Sequence, residues 1–481
     1  MRCLPVACAV SVLLLSVEAR GQSCPQFRPT DPSGGLAHYD DLPHVASYDA
    51  PMGQVRVWYA TTGTHAPIVT PTGPSGAPVN IEFVGEVMED ALVRFTQLGY
   101  DPPLRDGDYD ACASNGGDDR LDVYLVDFAS GADGAAPVEQ CQGSAVQTCS
   151  GFVLLDHRYA GYPDFRTGVE TVGPHELFHL IQDAYDANLD RWWAEGTAQW
   201  ATKQLYPELD DLERFLPTFF NEPGRPLDSP PGGVTSGWLY ATAIWPVFLG
   251  ETRGADTIRS IMETMASQPL SALEAADQVF ALNGDDLPST YLSFAAFNAA
   301  TGARTGPNAY SLGASYPEVA LGEVTAGHGT VVDERLAGFG ARYYLSLEPR
   351  ELSLDADPEA VAAVAIPFVD EALDPTAALS LPAVLDGPAV VVVAGQRSSK
   401  VDAHYELISQ PAPEGTGGGG AGGDGGAPMV DDNDGGSERD GGCSVRSVDS
   451  PRRPGGLLAL GFIVAALTTR RRLRVSHNGE Q

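Results

Sequence analysis

The chain has 481 residues, 43% of them hydrophobic, which is ordinary for a globular protein and leaves room for one to three domains. Its 64 acidic against 29 basic residues give a formal charge of −35. That balance argues against nucleic acid as a partner and for a solvated, self-repelling surface.

Residues 1–21 read as a secretory signal. Arg2 supplies positive charge, residues 4–15 an apolar run, and residues 17–21 a small-residue cleavage site. Gln22-Ser23 does not suit a lipoprotein signal at Cys24, so removal of the leader is expected in place of lipidation. Cys3 and Cys8 fall inside this segment, and Cys443 lies in the tail. Cys24, Cys112, Cys141 and Cys149 remain for an exported domain and suggest two disulfides with three pairings open. Cys141–Cys149 would close a short loop and Cys24–Cys112 would tether the N-terminus, and this pairing is preferred.

Residues 54–61 (QVRVWYAT) alternate and are β-branched or aromatic, which predicts a strand. Asn80 can cap a helix running to Leu98. Ile81, Val84, Met88, Ala91, Leu92 and Phe95 recur at helical spacing along it, and Gly99 is its stop. Residues 106–122 form a loop dense in Asp, Gly and Asn. Calcium takes such oxygens, but the spacing is not that of an EF-hand and a solvated turn is the simpler expectation. Residues 121–128 and 151–156 read as further strands.

The chemistry concentrates in His175-Glu176-Leu177-Phe178-His179 and, shortly after, Trp192-Trp193-Ala194-Glu195-Gly196-Thr197-Ala198. Residues four apart on a helix point the same way, so His175 and His179 present two imidazoles side by side, suited to two corners of a tetrahedral zinc site. Glu176 is placed to take a proton from water on the metal. Glu195 is far enough along for a second helix to bring a carboxylate to the third corner. The alternative is an amphipathic helix with two surface histidines, against which Leu177, Phe178, Leu180 and Ile181 make the segment largely apolar. Pro174 breaks a hydrogen bond inside a helix, so the helix is expected to begin there; the alternative is a helix that starts earlier and kinks at the site. His157 and His328 lack ligand spacing.

Residues 240–249 open another apolar segment, and residues 257–266 and 273–282 look helical, closing this part near residue 305. From about 306 the pattern changes to short alternating strands over 341–347, 360–368, 389–394 and 404–408. These suggest a β-sandwich over 306–410. Residues 411–442 are a Gly- and Asp-rich linker that cannot bury a core. Residues 443–481 carry Cys443, an apolar run over 457–467 that is short for a membrane span of about 20 residues, and Arg470, Arg471, Arg472 and Arg474.

At HExxH and the later Trp-x-x-Glu-Gly-x-Ala the chain resembles the gluzincin metallopeptidases, a likeness covering roughly residues 50–305. The resemblance implies an α+β metallopeptidase domain over 22–305, a twisted sheet plus active-site helices. It also implies His175, His179 and Glu195 as ligands of Zn2+ and Glu176 as general base. Tyr240 matches by position a tyrosine that points its hydroxyl at the oxyanion, with Ala241 where a glycine is common; a core tyrosine is the alternative role. In such families a strand like 121–128 or 151–156 borders the cleft and pairs with extended substrate. The last forty or so residues resemble the C-terminal sorting signals of myxobacteria (MYXO-CTERM), in which Cys443 would be the processing or lipidation point; a simple tail anchor is the alternative. Centre and ends together resemble myxobacterial surface metalloproteases. The expectation is an exported, surface-anchored zinc peptidase acting on proteins or peptides, touching the sorting machinery and the membrane only through its tail. The alternative is a non-catalytic surface adhesin or binding protein that keeps the fold.

Overall fold

Alternation of buried and half-buried side chains along residues 55–60 is what a pleated strand with one covered face requires. In the computed structural model β1 (Val45–Asp49) and β2 (Val55–Ala60) pair antiparallel. The structure describes residues 28–31, 37–39, 42–105, 116–128, 132–231, 237–397 and 402–411. The expected signal, Cys24, Cys112, residues 106–115 of the acidic loop, the linker beyond 411 and the tail with Cys443 lie outside the described residues.

β2 leads through α1 (Val79–Gln97) into β3 (Leu121–Val126), which runs parallel to it, and a parallel pair needs such a crossover. The stripe expected from Ile81 to Phe95 is buried, and Gly99 follows the helix with φ of 86°. Asn80 is not the cap. The chain enters the helix through Pro78, whose fixed φ suits that position, and Asn80 lies in the first turn. There its side chain accepts from Thr70 Oγ1 (2.6 Å) and donates to the Ile68 carbonyl (3.3 Å).

Next come β4 (Gly134–Ala135), the hairpin of β5 (Val138–Gly143) and β6 (Gln147–Gly151), and β7 (Val153–Asp156). Cys141 and Cys149 face each other across the hairpin and form a disulfide, as preferred from the sequence. The first sheet has the order β1-β2-β3-β7-β4. Val123 and Leu125 of β3 join the main core, while Tyr124 and Val126 join a smaller cluster on the opposite face. Burial on both faces is why this strand reads as an unbroken apolar run.

The helical layer consists of α2 (Phe165–Tyr185), α3 (Arg191–Leu205), α4 (Asp211–Phe220), α5 (Gly237–Ala241), α6 (Ile244–Arg253), α7 (Asp256–Ser267), α8 (Ala272–Leu282) and α9 (Leu287–Ala299). α2 packs against α1, α3, β6 and β7 and is buried along most of its length. It does not begin at Pro174. Asp164 caps it, accepting from the Thr167 amide (2.8 Å), and Pro174 lies inside. The proline removes the amide that would bond the Glu170 carbonyl. Tertiary packing along both flanks carries the helix through.

Beyond α9 the described strands are β8 (Gly322–Glu323), β9 (Gly329–Leu336), β10 (Ala341–Ser346), β11 (Arg350–Ala356), β12 (Val361–Val369), β13 (Ala372–Leu373), β14 (Leu379–Ser380), β15 (Ala383–Leu385), β16 (Ala389–Gly395) and β17 (Ala403–Pro411). One sheet runs β13-β12-β16-β10-β8 with β14 beside β12, and a second runs β15-β11-β17-β9. Val390, Val392 and Ala394 of β16 join the main core with α9, while Val391 and Val393 pack with Leu352, Tyr405 and Leu407 of the second sheet. The protein is a mixed α+β fold. Among the described residues no helix is long and apolar enough to cross a membrane.

One buried charge ties the N-terminal segment to the first sheet. Arg28 is fully buried, bonds both oxygens of Glu139 on β5 (2.8 and 2.6 Å) and meets Asp122 on β3. Arg28→Ala would leave two buried carboxylates without this cation, and denaturant unfolding should record a loss of roughly 3–5 kcal/mol.

Candidate metal centre

α2 and α3 bring together the three residues picked out by spacing. His175 and His179 sit one turn apart with their Nε2 atoms 3.1 Å from each other. Glu195 Oε2 on α3 lies 3.3 Å from His175 Nε2 and 3.6 Å from His179 Nε2. Gly196 permits the approach. A Cβ at 196 would lie 2.6 Å from Thr242 Oγ1 and 3.2 Å from the Ala243 amide nitrogen, so a side chain there would push α3 off the junction of α5 and α6. Thr242 Oγ1 in turn donates to the Trp192 carbonyl (2.7 Å).

These donors fit a small tetrahedral cation. Nitrogen and oxygen ligands about 2.0–2.1 Å from a tetrahedral ion are roughly 3.3 Å apart, and the observed separations are 3.1, 3.3 and 3.6 Å. The hydrogen-bond network also fixes the protonation of one ring. Thr197 Oγ1 donates to the Trp193 carbonyl (2.8 Å) and so accepts from Gln182 Nε2 (2.7 Å), which also donates to the Ala194 carbonyl (2.8 Å). That commits the Gln182 oxygen to face His179 Nδ1 (2.8 Å) as an acceptor. The Nδ1 proton is held on Gln182, so Nε2, which faces Glu195, is the nitrogen that a metal would take once its proton leaves.

Burial works against charge on both members of the His179–Glu195 pair, yet their mutual bond prevails. It pushes His179 up to about 10, and with the bond to His175 ahead of it holds the Glu195 carboxyl well below its ordinary range. Two imidazoles with a buried carboxylate thus form a strongly cation-seeking set.

Glu176 is buried beside them and opens on a cleft shared with His175 and Tyr240. Burial, reinforced by Glu195 and opposed by the two histidines, raises its pKa. The edge of the first sheet lies directly on it. A Cβ at Gly134 would be 2.5 Å from Val172 Cγ1 and 2.7 Å from Glu176 Cγ. The strand at the cleft is therefore β4 and not β3 or β7, which lie inside the sheet. The sequence gives little warning of a two-residue strand. Tyr240 stacks on Phe215 (ring centroids 4.8 Å) and lies 5.7 Å from the His175 ring, and burial raises its phenol pKa.

Other candidates fall elsewhere. His157 is buried, with Nδ1 3.1 Å from the Val126 carbonyl. Of the acidic run, Asp118 pairs with Arg56 (3.0 Å) and Asp122 belongs to β3, where Trp58 Nε1 donates to it (2.7 Å). His404 faces Asp333 at 2.8 Å on the second C-terminal sheet, with Glu406 nearby and both His404 and Asp333 exposed. Spacing alone missed Gln182, Gly134 and the cleft residues Asp133, Tyr162, Gln199, Asp211 and Phe215. Only Gln182, three residues after His179, left a local trace.

No protein-family model matches the chain, and no curated protein matches it.

Two outcomes follow from the geometry. Gln182→Ala should weaken Zn2+ affinity roughly 10- to 100-fold, read by competition with a chromogenic chelator. With its pKa at about 10, His179 carries a proton at pH 7 in the ion-free chain, whereas Glu195 carries none. Zn2+ must displace that proton, so calorimetry in buffers of different ionisation enthalpy should show about one proton released per ion at pH 7. Affinity should climb with pH and level off above the His179 pKa.

Proposed function

We propose that the protein is an exported, surface-anchored zinc peptidase with a gluzincin-like catalytic domain and a C-terminal β-sandwich. The observation that carries this reading is the set of three donors 3.1–3.6 Å apart beside a buried glutamate that opens on a cleft. A purely structural metal site has no use for that glutamate. Zinc held by His175, His179 and Glu195 would supply Lewis acidity that polarises a carbonyl and brings the pKa of water toward about 7.

The chain's own residues do the rest. Glu176, its pKa raised by burial, accepts a proton from the attacking water and passes it to the leaving amine. The Tyr240 hydroxyl, kept protonated by its surroundings, donates to the oxyanion as it develops. The backbone of β4 offers an edge to which an extended peptide can add as a strand. The Cys141–Cys149 disulfide suits an oxidising compartment and so favours export. The two C-terminal sheets share a core, which favours a sandwich that supports the catalytic part.

Purified protein should cleave casein or short peptides, stop with a chelator and recover with Zn2+. Glu176→Gln should retain zinc and lose roughly 10²- to 10⁴-fold in kcat/KM. Unchanged cleavage in that variant would refute the mechanism. Zinc binding with no cleavage of any protein or peptide would instead favour a non-catalytic surface binding protein.

A further inference from the structure

We infer that the recess beside Glu176 accepts a positively charged side chain, lysine or arginine, of the peptide substrate. The inference rests on the peptidase reading and gives it a substrate class. The cleft is walled by two carboxylates that the proposed chemistry does not use, Asp133 just before β4 and Asp211 at the start of α4. Among the described residues neither makes an ion pair. Asp133 accepts one long bond from the Tyr162 hydroxyl (3.4 Å), and Asp211 one from Gln199 Nε2 (2.8 Å). Arg214, whose field reaches Asp211, is itself held by Asp210 at 2.8 Å.

Asp133, Glu176 and Asp211 line the cleft, and Glu195 lies 3.3 Å from His175, which lines it too; a divalent ion would offset about two of these four charges. Burial pushes Asp133 up to about 6, and it raises Asp211 although Gln199, His175 and Arg214 oppose it. Asp133 and Asp211 belong to neither of the tight groupings of candidate metal ligands among the described residues. They reach the cleft from different elements, Asp133 from the sheet edge and Asp211 from α4. Tyr162 and Phe215 line the same recess, and aromatic side chains are favourable neighbours for an ammonium or guanidinium group. The same negative walls would reject an acidic side chain.

The test uses end-capped alanine hexapeptides carrying one lysine, norleucine or glutamate at each position in turn. Equilibrium binding is measured on Glu176→Gln and cleavage on the unaltered protein. At one position lysine should exceed norleucine by about tenfold in both affinity and kcat/KM, with glutamate the poorest. Asp133→Asn and Asp211→Asn should each shrink the lysine-to-norleucine ratio. Equal binding of lysine and norleucine peptides at every position would overturn the inference without recourse to any variant, as would a ratio untouched in both folded Asn variants. Cleavage without charge preference would remove the pocket and keep the peptidase. A lysine preference in binding, with no peptide cleaved, would keep the pocket and remove the peptidase.

Discussion

Gln182 joins the two helices on which the site depends. Its amide nitrogen is spent on the Ala194 carbonyl and the Thr197 hydroxyl of α3, and its oxygen is left for His179 on α2. One side chain therefore sets the spacing of the helices and the tautomer of a candidate ligand together. If the α3 end of this clamp were lost, Glu195 would no longer be held against the two imidazoles, and the ring would be free to turn. The candidate triad stands at one end of a buried hydrogen-bond chain that ends on the Trp193 carbonyl.

Two close backbone approaches complete the cleft. Gly196 lets α3 meet the segment that carries Tyr240, and Gly134 lets the sheet edge rest on Glu176. Both bring walls of the cleft within reach of the histidines without a side chain in between. The result is a dense group of carboxylates in a poorly solvated place, which is costly unless cations arrive to compensate. Glu195 has the histidines, and Glu176 is partly relieved by them. Asp133 has only the long bond from Tyr162, and Asp211 has Gln199 with the more distant fields of His175 and Arg214, so burial prevails at both.

The parts of this arrangement that could be read from the sequence are those governed by local geometry. His175 and His179 share a face because any helix puts residues four apart together. β2 and the buried stripe of α1 follow from their periods. Pro174 misled because a proline rule describes an isolated helix, and α2 is held by α1, α3 and the sheet on its flanks. α9 escaped notice because Leu287, Tyr291, Phe294 and Phe297 are buried along with Thr290, Ala295, Ala296 and Asn298, leaving no polar stripe to mark its period. β9 was hidden by Asp333, Glu334 and Arg335 at an exposed stretch of strand. Asp133 and Asp211 lie far apart in sequence and reach one cleft only through tertiary structure, so no motif could have named them.

The strands after residue 306 bear on the cleft through packing. Trp245 of α6, which follows the helix of Tyr240, stacks edge-on against Phe294 of α9 (5.1 Å) and lies close to Tyr291 (6.3 Å). The Tyr291 hydroxyl donates to the Phe339 carbonyl (2.5 Å), at the entry to β10. Val390 and Val392 of β16 close the same core from below the helix layer. Interiors packed this tightly are stiff, so β16 supports α9, and α9 packs on α6, the helix that follows the one carrying Tyr240. Packing against α9 on one face and the second sheet on the other accounts for the unbroken apolar run of β16, buried on both faces.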